Sequence, residues 1–205
     1  IADWNTGNVT DMTNAFYSCE NFNQDISNWD VGNVTHFNGI FYENKVFDQD
    51  LSSWNMVSAQ DINSMFNGAT IFNNGGQPLN WDEKLSNVTN INGIFSRTSL
   101  FNQPIGNWNT SNITNIKYIF DRATAFNQNI GGWDTSSVIE ADAAFRGASA
   151  FNQDLSNWDI TNINSASEMF SGSGQNSANA EATNASWQTQ DSSSPAAQES
   201  ERSIP

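Results

Sequence analysis

His36 is the only histidine of the chain and Cys19 its only cysteine. A Ser-His-Asp or Cys-His arrangement needs a base within hydrogen-bond reach of a nucleophile, and a structural zinc needs four ligands. One His and one Cys argue against both. Carboxylates offer more. Asp25, Asp50 and Asp154 share one slot of a repeating pattern, while Asp30, Asp82, Asp134 and Asp159 share another, directly after Trp. Two carboxyls roughly 5 to 9.5 Å apart would serve a glycosidase, and a cage of oxygens would hold calcium. The position after Trp alternates with Asn5, Asn55 and Asn109, as befits residues that cap a turn with their own side chains. The favoured reading is turn capping without catalysis, with calcium as the only cofactor alternative. Asn-x-Ser/Thr occurs at Asn8, Asn33, Asn87, Asn109, Asn112 and Asn184, but Asn8, Asn33, Asn87 and Asn112 share one slot, so repetition accounts for them before glycosylation does.

The elements that position these residues are set by a period. Trp stands at 4, 29, 54, 81, 108, 133 and 158, in steps of 25 or 27 residues, with only Trp187 outside the series. A first Phe follows at Phe16, Phe41, Phe66, Phe95, Phe120, Phe145 and Phe170. A second comes six residues later at Phe22, Phe47, Phe72, Phe101, Phe126 and Phe151. Three aromatic series in register mean stacked repeats, none of which can bury its apolar side alone.

Within one repeat, Val34, Phe37, Ile40, Phe41 and Asn44 fall on one stripe of a short helix. Thr10, Thr35, Thr89 and Thr114 stand where that helix would start. Segments such as FNQDISNW and FNQDLSNW read as extended chain with a brief strand, turning a corner between Ile26 and Trp29. The expected fold is therefore an α/β solenoid of about seven coils of 25 to 27 residues, each a short helix plus a short strand. Asn23, Asn73, Asn102, Asn127 and Asn152, with Asp48 once in their place, and the Gln residues that follow five of these six positions, are expected to form a hydrogen-bonded ladder at one corner. Cys19 takes a slot filled by Ala69, Ala123 and Ala148, which marks it as a small packed residue.

Composition narrows the function. Acidic residues outnumber basic ones by 22 to 7, for a net charge of −15. The absence of any Lys/Arg cluster argues against nucleic acid or anionic lipid as a partner. No stretch is long and apolar enough for a membrane span. From about Ser171 the chain turns to Ser, Ala, Asn, Gln and Gly and leaves the register. The expected division is a repeat region over 1–172 and a low-complexity, disordered tail or linker over 173–205.

The segments WDVGNVTHFNGIFYENKVFDQDLSSW and WNTSNITNIKYIFDRATAFNQNIGGW resemble the repeat of about 26 residues found in BspA-like leucine-rich-repeat bacterial surface proteins, including Mycoplasma and Listeria lipoproteins. The resemblance covers residues 1 to about 172. It implies a right-handed, leucine-rich-repeat-like stack at a cell surface, adhesion to host or matrix proteins for some members, and no catalytic residues. The Met pair of that repeat survives only in part, as Met12, Met65 and Met169. The resulting expectation is a non-catalytic, cell-surface or secreted module that binds an extracellular protein. A structural spacer or coat element and a carbohydrate-binding module, with a glycan as partner, are the alternatives. The candidate interaction positions are His36 and, from the insertions of the fourth repeat, Asn74, Gln77, Asp82, Glu83 and Lys84.

Overall fold

In the segment expected to be helical the backbone alternates hand. Gly39 has φ 59° and Glu43 φ 54°, and the same two slots are left-handed in every repeat: Asn14 and Ser18, Ser64 and Gly68, Gly93 and Arg97, Tyr118 and Arg122, Ala143 and Gly147, Glu168 and Gly172. A left-handed residue at every fourth position is incompatible with an α-helix. The N–H groups accordingly divide in two ways. Those of Ile40, Tyr42 and Asn44 close overlapping turns on the carbonyls of Phe37, Gly39 and Phe41. Those of Phe37, Gly39, Phe41 and Glu43 instead reach the carbonyls of Asp61, Asn63, Met65 and Asn67, 24 residues on. The result is a ribbon of turns sewn to the ribbon of the next repeat.

The computed structural model describes residues 1–204. The α/β solenoid is not what it shows. Among the described residues the only α-helices are α1 (Ser177–Asp191) and α2 (Pro195–Arg202), both outside the repeats. Parallel pairing is confined to single-residue bridges joining Asp11, His36, Asp61, Asn90, Asn115, Glu140 and Ser165 in succession. Those bridges lie at the head of the ribbon rather than in the FNQDISNW segment, so the expected helix and the expected strand are both corrected. With them goes the right-handed leucine-rich-repeat solenoid, which needs a sheet of strands. The apolar spacing was real: Val34, Phe37, Ile40, Phe41 and Asn44 are all fully buried. Overlapping turns also bring residues three and four apart to one side, and the left-handed slots decide between the two backbones. The Thr residues start no helix; the Thr35 and Thr114 hydroxyls donate to the carbonyls of Thr10 and Thr89 in the preceding tier.

Three columns hold the tiers together. The first Phe residues stack from Phe16 to Phe170 at 5.5 to 5.9 Å between centroids. The second Phe residues stack from Phe22 to Phe151 at 5.9 to 6.1 Å. Each tier's own pair is closer, 3.8 Å for Phe16 and Phe22 and 4.2 Å for Phe145 and Phe151. Burying a Trp ring requires a partner for its N–H. Trp29, Trp54, Trp81, Trp108, Trp133 and Trp158 each donate Nε1 to a carbonyl of the preceding tier, those of Ile1, Ile26, Leu51, Leu79, Ile105 and Ile130, at 3.0 to 3.1 Å.

The polar ladder is present. Asn23 Oδ1 accepts from the Asp48 N–H, Asp48 from Asn73, Asn73 from Asn102, Asn102 from Asn127, and Asn127 from Asn152. Gln49, Gln128 and Gln153 donate to the same oxygens of Asn23, Asn102 and Asn127. The corner between Ile26 and Trp29 is a turn closed by the Trp29 N–H on the Ile26 carbonyl.

The tail departs from expectation. Helix α1 lies on the last tier with Ala180, Thr183 and Trp187 buried, and α2 buries Ala196, Ala197 and Ser200. Asn176 caps α1 and Ser194 caps α2, with Pro195 in the first turn. The polar composition that suggested disorder is used on the exposed end of the stack. Thr183 Oγ1 accepts from the Leu155 N–H, Gln190 pairs with the Ile160 N–H and the Trp158 carbonyl, and Asn152 Oδ1 accepts from the Asn176 N–H. No helix of the described residues is long and apolar enough to cross a membrane.

Candidate functional site

The carboxylates singled out by their slots are turn caps except Asp82, which opens the short 3-10 turn Asp82–Leu85. Asp25, Asp50 and Asp154 accept from the N–H two residues on, at Ser27, Ser52 and Ser156. Asp30, Asp134 and Asp159 do the same for Gly32, Ser136 and Thr161. The backbone and hydroxyl bonds from Ser27 hold the Asp25 carboxyl below its ordinary range, and the hydroxyl and backbone of Ser136 do so for Asp134. A carboxylate stabilised in its charged form is poorly suited to deliver a proton. No group of three or more His, Cys, Asp or Glu among the described residues is arranged to hold a metal ion.

His36 is exposed at the head of the ribbon, bridged to Asp11 and Asp61, with Nδ1 2.8 Å from the Thr35 hydroxyl. The insertions of the fourth repeat are two short 3-10 turns, Asn74–Gly76 and Asp82–Leu85. Asn74 is fully buried. Its Oδ1 accepts from the Leu51 N–H at 2.8 Å and its Nδ2 donates to the Gln77 carbonyl at 2.8 Å and the Ser52 hydroxyl at 3.0 Å. Asn74 therefore locks its loop and offers nothing to a partner. Glu83 is exposed and accepts from Asn109 Nδ2, whereas Lys84 is half-buried and donates to the Trp54 carbonyl. Gln77 is exposed and Asp82 half-buried. No hydrogen bond or ion pair among the described residues joins this loop to His36, so the six positions do not form one site.

The structure instead assembles a different set on the outward side of the ribbon. Arg97 Nη2 is 2.7 Å from Glu43 Oε1 and 2.8 Å from Asn67 Oδ1, spanning three tiers. Arg146 makes a paired contact with Asp121, Nε at 2.8 Å and Nη2 at 3.1 Å, reaches Glu168 at 2.8 Å, and lies 5.6 Å over the Tyr118 ring. Lys117 sits 3.1 Å from Asp142 and 3.4 Å from Glu140. The Asp121 carboxylate, followed by Glu168, raises the pKa of Arg146, and the Asp142 hydrogen bond raises that of Lys117. Tyr17 stacks on Tyr42 at 5.0 Å and is half exposed, as is Tyr118. Lys45, Arg97, Lys117, Arg122 and Arg146 all lie on this ribbon or at its end, and only Lys84 and Arg202 lie elsewhere.

The signal for this face was in the sequence. The slot after the first Phe reads Tyr17, Tyr42, Asn67, Ser96, Asp121, Arg146 and Ser171, and a neighbouring slot reads Asn14, Gly39, Ser64, Gly93, Tyr118, Ala143 and Glu168. Both change chemistry from tier to tier beside a Phe that does not change. The second slot is itself left-handed in every tier, and the slot after the first Phe lies between it and the other left-handed slot.

The family described as Mycoplasma protein of unknown function, DUF285, matches residues 1–84 and again 76–187. The second match runs through Trp187 and so takes in most of α1 as well as the last tiers. No curated protein and no solved structure matches the chain.

Proposed function

The chain belongs to the Mycoplasma protein family of unknown function DUF285, and from that premise we propose a non-catalytic, cell-surface or secreted module that binds an extracellular protein through the outward face of its turn ribbon. The observation that carries this reading is the division of labour within each tier. The slots that stay constant are spent on aromatic columns and ladders, and the slots that vary bring Tyr, Arg, Lys and His36 onto one face. Tyr and Arg are the residues that most often anchor protein interfaces, because they combine large contact area with directed hydrogen bonding. Five of the seven basic residues lie on this ribbon or at its end, where Arg97, Lys117 and Arg146 are held in ion pairs with Glu43, Asp142 and Asp121.

Likeness of the repeats to those of BspA-like bacterial surface proteins supports the extracellular setting, and only that, since the leucine-rich architecture is not the one adopted here. Gln77 and Glu83, exposed on the inserted loop, belong to a different side and serve as controls. The test is binding of the purified chain to immobilised extracellular-matrix and host-surface proteins. Saturable binding weakened roughly tenfold or more by Tyr17→Ala combined with Tyr118→Ala is expected, while Gln77→Ala with Glu83→Ala leaves it unchanged. Ala already occupies the Tyr118 slot at Ala143, so the fold tolerates that exchange. Absence of saturable binding, or equal loss in both double variants, overturns the proposal.

A further inference from the structure

The column that holds Asp25, Asp50 and Asp154 does not keep its carboxylates along the whole stack. In the middle it reads Pro78, Pro104 and Asn129, which precede Leu79, Ile105 and Ile130 as Asp25 precedes Ile26. Pro78 and Pro104, two of the four prolines of the chain, are exposed on adjacent tiers. A proline side chain accepts no hydrogen bond, so neither residue can close its turn as Asp25 does for the Ser27 N–H. An apolar strip thus interrupts a polar column.

A second column is released from its structural duty at the same level. After Trp, Asp30, Asp134 and Asp159 accept from the N–H two residues on. In the fourth repeat that N–H belongs to Lys84 and donates instead to the Trp81 carbonyl at 2.8 Å, at the 3-10 turn Asp82–Leu85. Asp82 lies at φ 24°, and its carboxylate has no hydrogen-bond or ion-pair partner among the described residues.

Both departures meet in one cavity of about 400 Å³, lined by Pro78, Pro104 and Asp82 and within the size range of small-molecule sites. Amides complete the wall. Asn80 and Asn107 are exposed with side chains that bond to nothing among the described residues. Asn129 engages only its Oδ1, with the Gly131 N–H, and Gln128 only its Nε2, with Asn102, which leaves Asn129 Nδ2 and Gln128 Oε1 free. Gly106 lines the cavity as bare backbone, because the Asn129 carbonyl leaves no room there for a Cβ.

The cavity therefore sets donors and acceptors side by side, next to an apolar strip and one negative charge. A hydroxyl both donates and accepts, so a ring bearing adjacent hydroxyls can use the amides and the carboxylate together while its C–H face packs on proline. An anionic ligand would meet Asp82 on a chain of net charge −15. A cationic side chain would be matched by Asp82 but opposed by the amide N–H groups.

We propose that this cavity binds a neutral sugar residue of a glycan, with Asp82, Asn80 and Asn107 bonding adjacent hydroxyls and Pro78 and Pro104 packing on its C–H face. The site is separate from the ribbon face and independent of the protein partner proposed for it. Two substitutions remove its features with residues that the same columns hold in other tiers: Asp82→Asn, as at Asn55 and Asn109, and Pro104→Asp, as at Asp50 and Asp154.

The experiment titrates galactose, glucose, mannose and N-acetylglucosamine in turn into the isotope-labelled chain and follows the side-chain amide signals of Asn80, Asn107 and Asn129 by NMR. At least one of these sugars is expected to shift the signals saturably in the millimolar range, at the weak end of the affinity scale. Asp82→Asn and Pro104→Asp are each expected to weaken that binding roughly tenfold, while Tyr17→Ala combined with Tyr118→Ala leaves it unchanged. The anionic N-acetylneuraminic acid is expected to shift none of the signals. The proposal is overturned if none of the four sugars shifts them saturably, if both cavity variants bind as the parent does, or if the Tyr variant loses sugar binding. Binding of N-acetylneuraminic acid as tight as that of a neutral sugar overturns it too, as does tighter binding of N-acetylargininamide, which would assign the cavity to a cationic side chain.

Discussion

Trp187 lies on Trp158 with ring centroids 6.4 Å apart and planes 21° from parallel, and its Nε1 donates to the Leu155 carbonyl at 3.0 Å. This is the relationship each internal Trp has with the carbonyl of the tier before it, reproduced from a helix. The spacing of 29 residues from Trp158 to Trp187 breaks the period in sequence, yet the ring arrives in the same column. Trp187→Ala is expected to cost about 3 to 5 kcal/mol, as loss of a fully buried Trp does. Trp187→Phe keeps most of the stacking and leaves the Leu155 carbonyl without its donor, at a cost of about 1 to 2 kcal/mol beyond the lost contact area. Urea unfolding of the two variants checks the order; equal stability of Trp187→Ala and the parent would show that the cap contributes nothing.

The Asn ladder makes a second prediction. Asn127 Oδ1 accepts from the Asn152 N–H at 2.8 Å and from Gln153 Nε2 at 2.8 Å. Asn127→Ala strands the Asn152 N–H, while Gln153 Nε2 keeps the Asn127 carbonyl at 3.0 Å, and it is expected to destabilise by about 1 to 3 kcal/mol. Asn127→Asp retains the accepting oxygens, and Asp48 fills that slot in the second tier, accepting from Asn73 at 2.7 Å and Gly75 at 2.9 Å. The Asp variant should therefore lie much nearer the parent than the Ala variant in thermal unfolding at neutral pH. An Ala variant as stable as the Asp variant would mean that the ladder adds no net stability.

Much of the packing was legible in the sequence and much of the backbone was not. Trp54, Phe41 and Phe47 announce a core by their register alone, and Asn23 and Asn127 announce a corner by recurring beside it. The hand of the backbone was hidden because a helix and a run of overlapping turns both bring residues three and four apart to one side. Gly39, Gly68, Gly93 and Gly147 were the available signal: within the ribbon, Gly recurs at the two slots with positive φ. It was masked by Ser18, Arg97, Tyr118 and Ala143, which hold the same conformation against their preference. The role of the tail was hidden for a different reason. Thr183, Gln190 and Asn176 are ordinary polar residues in composition, and only the geometry of the last tier makes them its hydrogen-bond partners.

The left-handed slots predict stabilising changes. Ala143 has φ 52° where the second and fourth tiers place Gly39 and Gly93, both at φ 59°. A non-glycine residue in that conformation costs about 1 to 2 kcal/mol, while introducing Gly costs about 0.4 to 1 kcal/mol through the unfolded chain. Ala143→Gly should therefore be neutral to stabilising, by up to about 1 kcal/mol, and the same exchange at Ala141 or Ala148, which are not among the positive-φ residues, should destabilise. Urea midpoints for the three variants give the comparison. Destabilisation of equal size at all three positions would contradict the alternating backbone.

Asp142 gives the ribbon a pH dependence of definite sign. Partial burial acts to raise its pKa, but hydrogen bonds from the Ser165 hydroxyl, Lys117 and the Ser167 N–H together outweigh that and leave it lowered. The Ser165 hydroxyl lies 2.6 Å from Oδ1, the Ser167 N–H 2.8 Å from the same oxygen, and Lys117 Nζ 3.1 Å from Oδ2. A carboxylate whose pKa is lower in the folded chain binds its proton more readily in the unfolded one. Its contribution is thus fully present above the unfolded value, about 4, and is lost as pH falls through the folded value. Between about pH 7 and 5 the difference in stability between the parent and Asp142→Asn should stay constant, and below about pH 4 it should shrink. Lys117→Met, which removes the cation facing Asp142, should shift the parent's acid unfolding to higher pH. Urea unfolding at about pH 7, 5 and 3 measures the gap; a gap that persists undiminished at the lowest pH would mean that the Asp142 carboxylate does not hold the sixth and seventh ribbons together.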